Sequence, residues 1–206
     1  MLVNESVHDY ISLVDSLEPA PGGGSVAALV GSSGVALAGM YSKFSTGKKA
    51  FAQLDETTQK EFIRASEELT KHQNRLEELV DEDAKAYPMV VAAYRLPKET
   101  EDQKAIRSDA IQSATIQAMN VPLEMMRQAV AALELLPLLI PYGNKNVVSD
   151  AYCAAILLHA CNEAASLNVN ANIPSLQDEA LKETTIQEVQ QLLAKADKLK
   201  ETALAL

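Results

Sequence analysis

The sequence predicts an all-α protein, an antiparallel multi-helix bundle of about six helices, forming one domain over residues 1–206. Three observations carry this. Alanine fills 31 of 206 positions, while aromatic residues make up 4% and tryptophan is absent. Alanine is the strongest helix former, whereas sheets want β-branched and aromatic side chains. Long stretches repeat apolar residues every three to four positions, and no stretch alternates apolar and polar as a half-buried strand does. Hydrophobic residues at 48% can supply a core in a chain of this length.

The elements follow in order. Asn4 or Ser6 caps a short first helix ending near Leu17. Glu18-Pro19-Ala20-Pro21 stops it, and Gly22-Gly23-Gly24-Ser25 leads into a small-residue helix over residues 25–45. Gly31, Gly34 and Gly39 each cost a lone helix about 1 kcal/mol against alanine. They make sense in a central helix that another backbone approaches closely. Thr46-Gly47-Lys48-Lys49 ends it. Asp55 opens a long amphipathic helix with Phe62, Ala65, Leu69, Leu76, Leu79, Val80 and Ala84 on one face. Asp81 and Glu82 continue its wet face, and Pro88 is predicted to kink it. Leu96-Pro97-Lys98 turns into a fourth helix over residues 101–139, which holds Pro122 and Pro137. After a break at 140–144, a fifth helix over 148–167 is apolar nearly all round and predicted buried. Residues 168–174 read as an extended or turn stretch, and a last helix fills 176–203.

The net charge of -10 argues against nucleic acid and against an anionic membrane surface as partners, since both need clustered Lys and Arg. The apolar run from Val26 to Tyr41 is 16 residues long, short of the roughly 20 a membrane span needs. The N-terminus has no basic stretch of the signal-peptide kind. Cys153 and Cys161 lie about 12 Å apart along one helix, too far to bridge, and read as buried thiols. The expectation is a soluble cytoplasmic protein.

Chemistry concentrates at a few places. Gly22, Gly23, Gly24 and Ser25 open a helix where glycines allow positive φ and close ligand approach, and free N–H groups attract anions. No strand precedes them, so they are neither a P-loop nor a dinucleotide fingerprint. Lys48 and Lys49 suit either a helix C-terminus or an anionic substrate tail. Asp83 falls four positions after Leu79 and points toward the apolar side, where a carboxylate is costly unless paired or used. Tyr87 shares its face one turn on. Asn144 and Asn146 precede Ser149 and Asp150, either of which can cap the fifth helix. Asn168, Asn170 and Asn172 alternate, so in an extended stretch their amides share one face; turn formation is the plainer reading. His159 reads as a satisfied core histidine. No His, Cys, Asp or Glu set has metal-ligand spacing, so no metal is expected.

In order along the chain come Pro21-Gly22-Gly23-Gly24-Ser25, the small-residue helix to Met40, Thr46-Gly47-Lys48-Lys49, Asp83 with Tyr87, and Tyr94-Arg95-Leu96-Pro97-Lys98. Val121-Pro122-Leu123, Gly143-Asn144-Lys145-Asn146 with Ser149-Asp150, and Asn168-Val169-Asn170 follow. From about Tyr10 to Asp178 this ordered set resembles the formiminotetrahydrofolate cyclodeaminase and methenyltetrahydrofolate cyclohydrolase family. That family includes the C-terminal half of formiminotransferase-cyclodeaminase. The run Asn172-Ile173-Pro174 departs from its pattern in a loop.

The resemblance implies a dimeric, metal-free helical enzyme that uses tetrahydrofolate as the carrier of a one-carbon unit. Cyclodeamination of 5-formiminotetrahydrofolate gives 5,10-methenyltetrahydrofolate and ammonia. The alternative is cyclohydrolysis of the methenyl ring to 10-formyltetrahydrofolate. Both need a proton acceptor and donor beside one carbon, which suits Asp83 first and Asp150 second. Lys48 and the glycine loop suit the carboxylates of the glutamate tail, and the asparagines suit the pterin edge. The small residues from Gly24 to Met40 invite a partner helix, so a homodimer with its site near the interface is expected. The 206 residues hold no formiminotransferase half, which fits a stand-alone cyclohydrolase or a deaminase served by a separate formiminotransferase. A reading of another class, a non-catalytic helical interaction protein, leaves the glycine loop and Asp83 without a task.

Overall fold

The structure, a computed structural model, describes residues 1–206. It contains helices α1 (Val7–Val14), α2 (Gly23–Thr46), α3 (Lys49–Ala52), α4 (Glu56–Tyr94), α5 (Glu101–Leu139), α6 (Val148–Asn172) and α7 (Glu179–Ala205). Short 3-10 turns lie at Leu2–Asn4, Lys145–Val147 and Ile173–Ser175, and there is no strand. The expected all-α class is therefore observed. The extra helix is α3, a single turn that Lys48 opens just past the glycine expected to end the chain's second helix.

Local chemistry explains the starts. The Ser6 hydroxyl accepts the N–H of Asp9 at α1, and Asp55 accepts that of Thr58 at α4. Thr100 and Gln103 form a reciprocal capping box at α5, and Asp178 caps α7.

Helices α2, α4, α5 and α6 pack as neighbours around one core, joined by short connections that run them up and down alternately. Helix α7 lies outside this ring across α5 and α6. Phe62, Leu69 and Leu76 of α4, Met125, Met126 and Leu133 of α5 and Leu158 of α6 fill the centre. Glycine lets α2 approach its neighbours. A β-carbon on Gly31 would meet the Cys161 sulfur at 2.6 Å, and one on Gly34 would stand 3.1 Å from the Leu157 β-carbon. Gly39 departs from this reading, because no atom lies within 4 Å of where its β-carbon would be.

Several expectations change. Helix α1 ends at Val14, and Tyr10 is its one buried residue. Helix α2 is 24 residues long, so the apolar run is part of a helix that by length and composition could cross a membrane; about half of that stretch is buried within the bundle. Helix α6 continues to Asn172, where an extended or turn stretch is expected from the sequence. Cys161 is buried, but Cys153 is exposed.

Because α2 rises about 35 Å, the bundle has two ends that matter. At one lie the start of α2, the C-terminal half of α4 and the end of α6. At the other lie Lys48 and the loop before α6.

Candidate active site

Asp83 sits directly over Gly24. Any β-carbon at position 24 would collide with its carboxylate, so glycine is required there by the close approach of α4 to α2. Gly22 is the N-cap of α2, with extended backbone, and no glycine has positive φ. The glycines thus serve through their small size, and the left-handed turn they would have permitted is not used. Gly23 is exposed and faces the Asn168 side-chain amide, 3.8 Å from its β-carbon position. The first N–H groups of α2 have no helical acceptor, which makes this end of the helix electropositive.

The Ser25 hydroxyl lies 3.0 Å from the Asp83 Oδ2 and 3.0 Å from the Val80 carbonyl. One hydrogen faces two acceptors, so its direction follows the charge on Asp83. Burial pushes the Asp83 carboxyl above the usual carboxylate range; the Ser25 hydroxyl and N–H oppose this without cancelling it. A half-buried carboxyl whose pKa burial raises is better placed to take and return a proton than a solvated one.

Two neighbours were not foreseen. Asp81 is 8% exposed, although it was read on the wet face of α4. The N-terminal 3-10 turn covers it, with the Leu2 N–H donating to its Oδ1 at 2.9 Å while Oδ2 has no partner. The buried Tyr10 hydroxyl is also without a partner. Its pKa is pushed up to about 12 by burial first and then by the Asp83 and Asp81 charges. No pattern in the sequence signals Asp81, because the residues that cover it lie 79 positions away. Tyr10 was legible only as an aromatic on a short helix.

Tyr87 is 51% exposed and makes no hydrogen bond to Asp83, a role that Ser25 fills. It lines a surface cleft of about 650 Å³ together with Pro19, Pro88, Val91, Arg95 and Leu96. The cleft begins one turn beyond Asp83 on α4 and has a mainly apolar wall.

Asn168 and Asn170 do not share a face. Helix α6 includes both, so Asn168 is half-buried beside Gly23 while Asn170 is exposed. Asn172 lies on the Asn168 side and donates to the Asn168 carbonyl at 2.9 Å.

The remaining candidates are at the other end of the bundle. Lys48 is exposed and opens α3. Asn144 holds the loop before α6: its N–H donates to the Ser45 hydroxyl at 2.8 Å, and its side-chain oxygen accepts the Asn146 N–H. Asn146 is exposed. Asp150 occupies the first turn of α6 and is not its N-cap. Within one chain, Lys48, Asn144, Asn146 and Asp150 are therefore separated from Asp83 by the length of α2. His159, as expected, is buried and satisfied, with Nε2 2.6 Å from Asp197.

Fold and site define a class of all-helical bundle enzymes. One member is the formiminotetrahydrofolate cyclodeaminase of Thermotoga maritima, whose crystal structure matches with a TM-score of 0.86 and 27% identity over 98% of this chain and 96% of that one. The profile of the formiminotransferase-cyclodeaminase family matches residues 6–191, and the chain belongs to that family. A methenyltetrahydrofolate cyclohydrolase of Methylorubrum extorquens is 35% identical over 201 residues, covering 98% of this chain and 95% of its own length. The formimidoyltransferase-cyclodeaminase of Rattus norvegicus is 34% identical over 198 residues, which are 95% of this chain but 35% of that protein. The family resemblance read from the ordered motifs thus holds.

Proposed function

We propose that this protein is a folate one-carbon enzyme acting at the carbon that bridges N5 and N10 of tetrahydrofolate, with Asp83 as its acid–base group. The observation that carries the reading is the Asp83 carboxyl, half-buried, raised in pKa and seated on the open start of α2. In cyclodeamination N10 attacks the protonated formimino carbon and forms the new C–N bond. Asp83 takes the N10 proton and returns it to the former imino nitrogen, which leaves as ammonia. The product is the 5,10-methenyl cation. A carboxylate near this carbon also stabilises the positive charge it carries.

The cyclohydrolase reading uses the same carbon. Water adds to the methenyl cation, one of its protons passes to N5 as the C–N5 bond breaks, and the other is released to solvent. The full-length match to a stand-alone relative named as a cyclohydrolase supports this reaction. The structural match to a cyclodeaminase supports the other. An absorbance assay separates them. Methenyl absorbance appears from 5-formiminotetrahydrofolate with a deaminase and disappears faster than the uncatalysed rate with a cyclohydrolase. No change with either substrate contradicts both.

A homodimer along α2 completes the reading. Ala36 and Phe44 are exposed on its outer face, and Gly39 faces open space there. A glycine inside a helix costs about 1 kcal/mol without a close neighbour, and a partner helix supplies one. Two α2 helices packed antiparallel bring the Lys48 and Asp150 end of one chain to the Gly22–Ser25 end of the other. The two separated groups of candidate residues then form one site.

A further inference from the structure

We propose that the Arg95 guanidinium recognises the anionic tail of the substrate, the glutamate carboxylates of a tetrahydrofolate derivative. The inference rests on the folate reading above and names the residue of the same site that fixes the far end of the ligand.

Arg95, which caps the C-terminus of α4, follows Asp83 by twelve positions, about 18 Å of helical rise. Between them on α4 the cleft is lined by Tyr87, Pro88 and Val91, and Pro19 and Leu96 also line it. A tetrahydrofolate has the same order of parts. The reacting carbon is joined through N10 to a flat benzoyl ring, and that ring to a glutamate. With the reacting carbon at Asp83, the ring lies along the apolar wall and the carboxylates arrive at the end of α4.

Arg95 is free to meet them. It takes part in no side-chain hydrogen bond and no ion pair. By contrast, Arg75 is held by Glu78 and Glu82, Arg127 by Glu124 and Glu188, and Arg107 by the Tyr94 carbonyl. Arg64, also without a partner, is on the exposed face of α4 toward the other end of the bundle. The backbone of Arg95 is fixed, because its N–H donates to the Val91 and Ala92 carbonyls at 3.2 and 3.1 Å. Pro97 follows two residues on, so the side chain projects from a defined helix end. A planar fork of donors suits a carboxylate better than an ammonium does. The chain carries a net charge of -10, which repels an anionic tail unless a local cation is available. Lys48, which the sequence suggested for this task, stands at the opposite end of α2 within one chain, and the proposed antiparallel dimer brings the other chain's copy to Gly22–Ser25, the reacting end of the ligand, rather than to the end of α4.

The test compares the folate that the protein turns over with its tetrahydropteroate analogue, which keeps the reacting ring and lacks the glutamate. Both are measured with the wild type, Arg95→Ala, Arg95→Lys and Lys48→Ala. The wild type is expected to favour the tailed substrate by roughly tenfold or more in KM, as charge-assisted hydrogen bonds do. Arg95→Ala should raise KM for the tailed substrate by that factor, leave kcat in place and leave the tail-less KM unchanged. Arg95→Lys should regain part of the difference. An Arg95→Ala variant that keeps the tail preference, or that harms both substrates alike, overturns the proposal. So does loss of the preference in Lys48→Ala while Arg95→Ala retains it. Failure of the wild type to turn over either folate overturns the functional reading itself and the inference with it.

Discussion

The Asp83 carboxylate occupies the space that a side chain at Gly24 would need. This contact joins α4 to the start of α2 and places the carboxyl among the free N–H groups of a helix terminus. The atoms that a β-carbon at position 24 would meet all belong to the Asp83 carboxylate, so a larger residue there has to push the carboxylate aside.

Gly24→Ala should therefore displace Asp83. Overpacking of this kind costs about 1–3 kcal/mol, visible as a lower denaturant midpoint, and kcat should fall with it. Full kcat in Gly24→Ala would show that the position of the carboxylate does not matter to turnover.

The raised pKa of Asp83 has a consequence for stability. The folded protein holds this proton more tightly than the unfolded chain does. Its contribution to stability is complete below about pH 4, the ordinary carboxyl range, and is lost as pH rises through the folded-state value. Asp83→Asn removes the loss. Its melting temperature at neutral pH should equal or exceed that of the wild type, and the advantage should shrink as pH is lowered. A variant less stable at neutral pH would mean that Asp83 is held by pairing stronger than Ser25 supplies.

Ser25 stabilises the ionised form of Asp83 through its hydroxyl. Ser25→Ala should move the Asp83 limb of the pH profile of kcat/KM to higher pH, since that limb reports the free enzyme. An unmoved limb would detach the hydroxyl from the proton chemistry.

The proposed antiparallel dimer predicts complementation. Asp83→Asn and Asp150→Asn each spoil the site from a different end of α2. Mixed and allowed to exchange subunits, the two variants should recover activity that neither has alone, because mixed dimers contain one intact site. A monomeric mass in light scattering, or no recovery on mixing, contradicts the shared site.

Much of this was legible in the sequence. Helix α5 was read over residues 101–139 and is found there, because Thr100 caps it and the Pro141-Tyr142-Gly143 segment breaks the chain after it. Asp83 was marked by its spacing from Leu79, and Gly31 and Gly34 by their place in a helix. What failed depended on contacts distant in sequence. Asp81 looks solvated beside Glu77 and Glu78 until the turn at Leu2–Asn4 covers it. Asn168 to Asn172 favour turns locally, yet burial of Val169 and Ile173 keeps that segment wound against the bundle. The separation of Ser25 from Lys48 was available from arithmetic alone, since both bracket one long helix.

The central claim is that Asp83 carries the proton in a folate reaction. The direct measurement is kcat of Asp83→Asn on whichever folate the wild type converts, with a melting curve beside it. Asparagine keeps the shape and cannot take the proton, so kcat should fall by about 10²–10⁴-fold while the protein stays folded and KM changes little. A folded Asp83→Asn variant with nearly wild-type kcat would contradict the account.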